Sequence, residues 1–331
     1  MYRGDDGLEK KTFLITGCAG FIGFHACHQL SNDGHTIIGV DNLDDNYSVK
    51  LKKSRLEILL ANEKFQFAKI DVSDFTKLCE LFERYSIDTV IHLAAQVGVR
   101  GKPSEFYKYV ESNLVGFCNV IECARRYKID HFIYTSSSSV YGDSSNPPYK
   151  IGNETSTPKS LYAATKKSNE VIAHAYSHQF GIHTSGLRLF TVYGPWGRPD
   201  MAVYGFTEKI LSGKIIDVFG TGELKRDFTY IEDVTHALVK LSTLNESQRS
   251  KNLFNIYNIG GGQPVTVNNL ILLLERETDK KANIEYSKIP PTDSKLTQAN
   301  TECIESIIGP IEWTRLESGV QRFIQWYNKY H

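Results

Sequence analysis

The 331-residue sequence has little of what marks secreted or membrane-spanning proteins. Its six cysteines form no CxxC pair and no regular spacing, which predicts free thiols in a reducing compartment, with the cytoplasm as the default location. No apolar run approaches the roughly 20 residues of a membrane-spanning helix. Residues 1–10 carry charges of both signs without the apolar core of a signal peptide. We therefore expect neither secretion nor membrane insertion.

The sequence also has no excess charge of either sign, because Lys plus Arg and Asp plus Glu both number 38. Such a chain produces no overall field that would attract nucleic acid or an anionic membrane, so we expect neither as a partner. An anionic ligand must then be held by local groups. With 41% hydrophobic residues, the chain can form one large domain or two moderate ones.

Metal-ligand patterns are missing as well. His25, Cys27 and His28 in FHACHQL have no complementary ligand set elsewhere in the sequence. His174 and His178 in HAYSH have helical spacing but lack the glutamate of the zinc motif HExxH. We therefore expect no metal site, and we interpret these residues as helix packing and helix surface.

What the sequence does contain is a regular alternation of short β-branched runs and longer amphipathic segments, beginning at Thr12. The predicted strands cover 12–17, 35–41, 65–72, 89–95, 131–137 and 182–190, and the predicted helices cover about 22–32, 50–61, 75–85, 104–127 and 160–179. This alternation predicts an α/β protein with a doubly wound parallel sheet. Ligands of such sheets bind at the carboxyl ends of the strands.

The rhythm breaks after Leu189, where FTVYGPWGRPD is rich in glycine and proline. We therefore expect a sheet domain over residues 10–190 and a smaller C-terminal lobe over residues 191–331. Segments near 229–261, which include the apolar run LFNIYNIG, are expected to return to the sheet domain. The two parts would then interleave along the chain.

The first predicted strand runs directly into TGCAGFIG, in which Gly17, Gly20 and Gly23 have GxxGxxG spacing at the start of a helix. Glycines there permit a tight turn and let a pyrophosphate approach the positive end of the helix, although the triplet alone also suits an ordinary strand-to-helix turn. The second strand ends at Asp41, where a carboxylate accepts hydrogen bonds from a ribose 2'-hydroxyl and repels a 2'-phosphate. Together these features predict NAD as cofactor rather than NADP.

Further strand ends fall at the same predicted edge of the sheet. Asp71 and Val72 are expected to end the third strand, and Leu93, Ala94 and Ala95 the fourth. Small residues there would let a cofactor lie close to the backbone. Each of these residues taken singly fits strand-end packing equally well.

Tyr162 and Lys166 form YxxxK in SLYAATKK, with the spacing that places two side chains on one helix face. A phenol is a poor base at neutral pH, but a nearby ammonium and a cationic nicotinamide stabilise the phenolate. A tyrosine and a lysine at this spacing are also common on solvated helix faces. The nucleotide-binding pattern upstream favours the chemical interpretation.

With these motifs the chain closely resembles the extended short-chain dehydrogenase/reductase family, in its NAD-dependent sugar-nucleotide epimerase/dehydratase branch. The resemblance runs from about Thr12 to the C-terminus through TGCAGFIG, HLAA, SNLVG, YTSSSSVYG, LYAATKK, RLFTVYGPWGRPDM and KRDFTYIEDV. DNLDDNY, AAQVGVR, SLYAATKKSNE and TVYGPWGRPDMA are similar, more closely, to UDP-glucuronate 4-epimerases. The family resemblance implies an NAD-binding Rossmann domain, a UDP-sugar-binding lobe, and a homodimer paired through segments 104–127 and 160–179.

The resemblance also assigns the site. The expected catalytic residues are Tyr162, Lys166 and Ser137. The expected cofactor contacts are Gly17, Gly20, Phe21, Ile22, Gly23, Asp41, Asn42, Asp71, Val72, Leu93, Ala94, Ala95, Asn113, Tyr162 and Lys166. The expected substrate contacts are Ser137, with Ser138, Ser139, Thr191 and Arg198 around a sugar carboxylate, Arg226 at the diphosphate and Asp293 at the uridine ribose. Many relatives have PGD where this chain has PTD before Asp293.

The implied reaction is epimerisation at C4 of UDP-glucuronate to UDP-galacturonate through a transient 4-keto sugar, with NAD tightly bound. Tyr162 as phenolate removes the 4-hydroxyl proton, Ser137 relays or steadies it, and Lys166 lowers the pKa of the phenol. UDP-glucose 4-epimerase and UDP-glucuronate decarboxylase remain alternatives. A 4,6-dehydratase fits less well, because Ser138 and Ser139 stand where that family has an Asp-Glu pair. From another class, a non-catalytic NAD-sensing protein would share the fold, but such proteins often lose the tyrosine or lysine.

Overall fold

The computed structural model describes residues 10–100, 103–142 and 146–331. The segment 1–9, which carries most of the stretch for which no signal peptide is expected, lies outside the described residues. Within the described ranges, no helix has both the length and the apolar character needed to cross a membrane.

The strands are β1 Thr12–Thr16, β2 Thr36–Asp41, β3 Phe65–Lys69, β4 Thr89–His92, β5 His131–Ser137, β6 Thr184–Leu189, β7 Thr191–Tyr193, β8 Ile215–Phe219, β9 Lys225–Tyr230, β10 Phe254–Ile259, β11 Pro264–Thr266 and β12 Asn283–Ser287. The α-helices are α1 Phe21–Asn32, α2 Val49–Leu60, α3 Phe75–Arg84, α4 Phe106–Val110, α5 Gly116–Arg126, α6 Leu161–Phe180, α7 Ala202–Ser212, α8 Ile231–Thr243, α9 Val267–Thr278, α10 Glu302–Ile308 and α11 Leu316–Tyr330.

The central sheet has the strand order β10-β6-β5-β4-β1-β2-β3, and every neighbouring pair in it is parallel. This confirms the predicted doubly wound parallel sheet. Strands covered on both faces have no solvated side, so they read as continuous apolar runs rather than as alternating patterns. The winding reverses between β1 and β4, and the carboxyl ends of these two strands flank the crevice where such folds bind ligands.

Two smaller sheets are formed by strands that follow β6 in the chain. In one, β9 pairs with β7 in parallel and with β11 antiparallel; in the other, β8 pairs with β12 in parallel. The late strand β10 instead joins the central sheet beside β6. Chain that follows the glycine- and proline-rich break therefore contributes both to the small sheets and to the main one.

Two local features differ from the sequence-based expectation. Strands β3 and β4 end earlier than predicted, so Asp71 and Val72, like Leu93 to Ala95, lie in loops just past the strands. The expected single helix 104–127 is divided into a 3₁₀ turn Pro103–Glu105, α4, a π-helical turn Glu111–Val115 and α5. A π turn inserts extra backbone into a helix and re-aims a side chain, here Asn113.

Behind the sheet edge, Glu170 of α6 and Arg188 of β6 form a buried ion pair. Arg188 donates from Nε to Oε1 of Glu170 at 2.7 Å and from Nη2 to Oε2 at 2.9 Å, and the Ser136 hydroxyl donates to Oε1 at 2.7 Å. Burial alone raises the pKa of the Glu170 carboxyl, but the hydrogen bonds and charge of Arg188 outweigh it and lower that pKa. The pair joins α6 to strands β5 and β6.

Breaking this pair is expected to be costly. Glu170→Gln leaves the Arg188 guanidinium buried without an anionic partner, so we expect the free energy of unfolding to fall by about 3 kcal/mol. Urea unfolding at pH 7, followed by circular dichroism, measures the change.

A surface pair gives the matched control. Glu232 accepts from Arg322 at 3.0 Å in an exposed ion pair, and Glu232→Gln is expected to cost less than about 1 kcal/mol. Equal losses for both variants would contradict a special contribution from the buried pair.

Candidate active site

A cleft of about 970 Å³ opens at the carboxyl edge of the central sheet and extends between it and the smaller sheets. Its described lining contains nearly every site residue expected from the sequence: Gly17, Gly20, Phe21, Ile22, Gly23, Asp41, Asn42, Asp71, Val72, Leu93, Ala94, Ala95, Ser137, Ser138, Ser139, Tyr162, Lys166, Thr191, Arg198, Arg226 and Asp293. Residues far apart in sequence are therefore brought to one cavity, because parallel strands present their carboxyl ends at the same edge.

The glycine turn forms one end of the cleft. Gly17 has a positive φ of 72°, and a Cβ at Gly23 would collide with the carbonyl oxygen of Gly17, so both positions require glycine. Helix α1 begins after Gly20 with no side-chain cap and no acidic residue in its first turn. Its first N–H groups and its positive dipole end are thus open to an anion.

Asp41 ends β2 beside this turn. Its Oδ2 accepts from the Ala19 amide at 3.1 Å and its Oδ1 from the Leu43 amide at 2.8 Å, which fixes the carboxylate at the rim of the glycine turn. Burial raises the pKa of Asp41, and these backbone hydrogen bonds oppose the rise. A carboxylate at this position suits recognition of ribose hydroxyl groups.

Ser137, Tyr162 and Lys166 meet where β5 ends and α6 begins. The Ser160 side chain caps α6 by accepting from the Ala163 amide at 3.1 Å, which places Tyr162 in the first turn. One turn later, Lys166 donates from Nζ to the Thr135 carbonyl at 2.8 Å, and its Nζ lies 5.9 Å from the centre of the Tyr162 ring. The helix is thus tied to the strand that ends in Ser137.

The electrostatic environment of the phenol has three parts. Burial raises the pKa of Tyr162, while the positive charge of Arg198 and a hydrogen bond with Ser137 act to lower it. Burial also lowers the pKa of Lys166 to about 7. A lysine with this pKa changes charge near neutrality, so the cation beside Tyr162 depends on pH.

The serine run has an internal order. Ser137 Oγ accepts from the Ser139 amide at 3.2 Å and from the Ser139 hydroxyl at 2.9 Å. Both lone pairs of Ser137 are then occupied, which leaves its own hydroxyl hydrogen to be donated toward the Tyr162 oxygen. Ser139 thereby orients Ser137, a contact that the expected carboxylate-binding role did not include.

Arg198 also lines the cleft, on the loop that follows β7. Its guanidinium donates to both carboxylate oxygens of Asp200, with Nε to Oδ1 at 3.0 Å. It is close enough to Tyr162 for its charge to act on the phenol. The group is thus a cation in the cleft that already makes a bidentate contact with a carboxylate.

Arg226 and Asp293 lie at the other end of the cleft and contact each other. Asp293 accepts from Arg226 Nη2 at 3.1 Å and from Arg100 at 2.7 and 3.2 Å. Its carboxylate is committed to two arginines here, so its role at a uridine ribose stays a prediction. Arg100 also stacks over Phe219 with Cζ 4.3 Å from the ring centre.

Asn113 is the expected site residue that the described lining of the cleft does not include. It is 1% exposed, and its amide accepts from the Gln96 amide at 2.8 Å and donates to the Gln96 carbonyl at 2.9 Å and to Thr165 at 3.0 Å. The π turn directs it at the backbone beyond β4. Its cofactor contact stays a prediction.

Several lining residues had no role in the sequence analysis, among them Lys52, Arg100 and Tyr109. The Tyr109 hydroxyl donates to the Gly98 carbonyl at 2.7 Å and holds the loop after β4. Arg100 ends the motif AAQVGVR, which was the one available signal. Lys52 and Tyr109 occupy ordinary helical positions, and only the fold shows that they face the cleft.

Comparison with known proteins identifies the family. Residues 13–260 match the model of the NAD dependent epimerase/dehydratase family. The chain belongs to this family. It is 39% identical to a UDP-glucuronate 4-epimerase of Thermodesulfobacterium geofontis, over 95% of each chain.

Solved structures agree with this assignment. The crystal structure of UDP-glucuronic acid 4-epimerase from Bacillus cereus with UDP-glucuronic acid and NAD is 32% identical, with a TM-score of 0.89 over 97% of this chain and 100% of that one. A UDP-glucose 4-epimerase from Thermotoga maritima with UDP-glucose is 27% identical, with a TM-score of 0.86 over 96% of this chain and 99% of that one.

The residues present fit the NAD that the family is named for. The uncapped first turn of α1 and the glycine turn suit a pyrophosphate, and Asp41 suits an unphosphorylated ribose. Lys166 and Tyr162 lie farther along the same cleft, where the chemistry is expected.

The lowered pKa of Lys166 predicts a pH-dependent stability. In the unfolded chain the lysine has an ordinary pKa of ~10.4. Between about pH 7 and that value the unfolded state therefore binds more protons at this group, so the contribution of Lys166 to wild-type stability falls with falling pH. The Lys166→Met variant has no ionisable group at this position, so it avoids the loss of stability that accompanies a falling pH. In NAD-free protein we expect the variant's gain in unfolding free energy to grow from pH 10 down to pH 7 and level off below, as measured by urea unfolding. A gain that is independent of pH would contradict a buried, titrating Lys166.

Proposed function

We propose that this protein is a UDP-glucuronate 4-epimerase, which interconverts UDP-glucuronate and UDP-galacturonate with tightly bound NAD. One observation carries the choice of substrate. A guanidinium that binds a carboxylate in bidentate fashion, Arg198, lies in the same cleft as the YxxxK pair and acts electrostatically on Tyr162. A uronate carboxylate can replace the Asp200 carboxylate on this guanidinium, whereas a neutral hexose offers it no anionic group. The similarity to the UDP-glucuronate 4-epimerases of Thermodesulfobacterium geofontis and Bacillus cereus supports the same choice.

In the proposed reaction, bound NAD supplies the reversible oxidation at C4 of the sugar. Tyr162 as phenolate takes the proton of the 4-hydroxyl group, and Ser137, oriented by Ser139, donates a hydrogen bond that stabilises the phenolate. The Lys166 ammonium, with Nζ 5.9 Å from the centre of the Tyr162 ring, adds positive charge on the same side of the cleft as the phenol. After the 4-keto sugar has turned over in the cleft, Tyr162 returns the proton.

The uronate raises a chemical problem that the cleft must solve. A 4-keto sugar with a C6 carboxylate is a β-keto acid, which loses carbon dioxide when the carboxylate stands perpendicular to the carbonyl. A bidentate arginine fixes both carboxylate oxygens in one plane and can prevent that orientation. We assign this restraint to Arg198, with Ser138, Ser139 and Thr191 as neighbours, while Arg226 would bind the diphosphate and Asp293 the uridine ribose.

The direct test is to identify the product that the purified protein forms from UDP-glucuronate. Purified protein is expected to form UDP-galacturonate, resolved from the substrate by chromatography, and Tyr162→Phe is expected to lower the rate by about two to four orders of magnitude while NAD stays bound. The Phe variant retains the ring packing and removes only the acidic hydroxyl.

Other products separate the alternatives. A UDP-pentose would indicate a decarboxylase, and conversion of UDP-glucose alone would indicate a UDP-glucose 4-epimerase. No conversion of any UDP-hexose, with NAD bound, would favour a non-catalytic NAD-sensing protein. Full activity in Tyr162→Phe would refute the tyrosine as base.

We also propose a homodimer that pairs helices of the 104–127 and 160–179 regions, in the cytoplasm. Apolar side chains on α4 and α6 are exposed to solvent, with Tyr107 at 80% and Val171 at 58%. Single exposed apolar residues are common, but these two regions also expose Phe106, Val115 and Leu161, and such a concentration suits a surface that another subunit covers. The irregular cysteine spacing supports a reducing location. The division into a cofactor domain, residues 10–190 with the return near 229–261, and a substrate lobe remains part of this proposal.

Light scattering coupled to gel filtration tests the dimer. The wild type is expected to have twice the chain mass of 37.4 kDa, and Val171→Asp is expected to shift the population toward monomer, because a buried unpaired charge opposes association. Leu272→Asp on α9, which is also exposed at 60%, serves as the control and should leave the mass unchanged. A wild-type monomer would refute the proposal.

A further inference from the structure

Arg55, on α2, is a guanidinium with no exposed surface. No carboxylate lies within ion-pair distance of it in the described ranges 10–100, 103–142 and 146–331. Instead its two terminal nitrogens donate to backbone carbonyls and one hydroxyl: Nη1 to Ala19 O at 2.8 Å and Tyr47 Oη at 2.7 Å, and Nη2 to Trp196 O at 2.6 Å and Gly197 O at 3.3 Å.

The acceptors belong to two different functional loops. Ala19 lies inside the glycine turn between Gly17 and Gly23, where the cofactor diphosphate is expected. Trp196 and Gly197 immediately precede Arg198, which is assigned to the substrate carboxylate. One guanidinium therefore bonds the cofactor loop directly to the loop that presents the substrate-binding arginine, across 141 positions of sequence between Arg55 and Trp196.

The substrate loop needs such support, because its backbone is strained at the contact. Trp196 has a φ of 62°, in the left-handed region that costs a non-glycine residue roughly 1 kcal/mol or more. Its carbonyl receives the shortest of the four Arg55 hydrogen bonds. The ring of Trp196 packs on Phe24 of α1, with centroids 5.5 Å apart, so side chain and backbone are both attached to the cofactor domain.

The charge of Arg55 points to the same connection. A buried cation without an anionic partner is costly, and four carbonyl or hydroxyl oxygens offset only part of that cost. Asp41 is close enough for its charge to be felt, but its oxygens accept from the Ala19 and Leu43 amides. A diphosphate at the adjoining glycine turn would supply negative charge next to this cation.

We propose that Arg55 is a positioning residue that couples the cofactor site to the carboxylate site: it holds the Ala19 and Trp196–Gly197 carbonyls in register, so that the order imposed by NAD on the glycine turn also sets Arg198. This inference rests on the proposed function of Arg198. Coupling of this kind is reciprocal, so each ligand should strengthen binding of the other.

The test uses Arg55→Lys, which keeps the buried charge but cannot reach both loops with a planar fork. Calorimetry would measure the affinity of NAD for NAD-depleted enzyme, and the affinities of UDP-glucuronate and neutral UDP-glucose for the NAD-loaded enzyme. We expect Arg55→Lys to weaken NAD binding and to lower the preference for UDP-glucuronate over UDP-glucose, each by roughly tenfold.

Arg198→Met is the matched reference. It should lower the preference for UDP-glucuronate to a similar extent but leave NAD affinity at the wild-type value, because it breaks only the substrate end of the connection. Arg55→Lys with wild-type NAD affinity, or with an unchanged preference between the two sugars, would overturn the coupling role. Conversion of UDP-glucuronate to UDP-galacturonate by the wild type is measured in the same series. A wild type without this activity would refute the proposed function, whereas the binding data for Arg55→Lys test the coupling role.

A second measurement does not depend on the variant folding. In the wild type, adding NAD alone should slow amide hydrogen exchange in residues 194–198, as followed by mass spectrometry. Unchanged exchange in that loop on NAD binding would contradict the connection through Arg55.

Discussion

Parallel pairing of seven strands in one sheet is the constraint on which the rest of the molecule depends. Because every neighbouring pair is parallel, the carboxyl ends of β1, β2, β4, β5 and β6 all lie at one edge of the sheet. The register places Ser137 beside Leu189, two residues before Thr191, so pairing of β5 with β6 makes the serine run and the chain that leads to Arg198 neighbours. The loops that follow these strand ends line the cleft.

Burial and pairing of charge at that edge set the protonation of two groups on α6. Lys166 is buried with no counter-charge among the described residues, and burial lowers its pKa to about 7, although its Nζ donates to the Thr135 carbonyl. Glu170, one turn farther along α6, is instead fully paired with Arg188 and stays ionised. The same helix therefore carries one group that responds to pH near neutrality and one that anchors the helix. The difference lies in whether a counter-charge is within reach.

The sequence predicted the residues whose roles depend on local spacing. Gly17, Gly20 and Gly23 lie within one turn, and Tyr162 and Lys166 lie four residues apart on one helix, so their relative positions follow from strand and helix geometry alone. The hydrogen bond from Ser139 to Ser137 could not be predicted from the sequence. The orientation of a hydroxyl group depends on its hydrogen-bond partners and not on its position in the chain. The pairing of Asp293 with Arg100 and Arg226, and the π turn that re-aims Asn113, likewise depend on distant segments.

By itself, the sequence determined the class of fold, the glycine turn and the spacing of the YxxxK pair, because each follows from periodicity and short-range geometry. Only the tertiary structure decided which polar groups meet across the cleft. Arg55 and Trp196 are far apart in the chain, and Arg55 is one of several basic residues on helix α2. Its four acceptors come together only when α2, the glycine turn and the loop before Arg198 have packed, since hydrogen-bond partners of a buried guanidinium are chosen by three-dimensional proximity and not by sequence spacing.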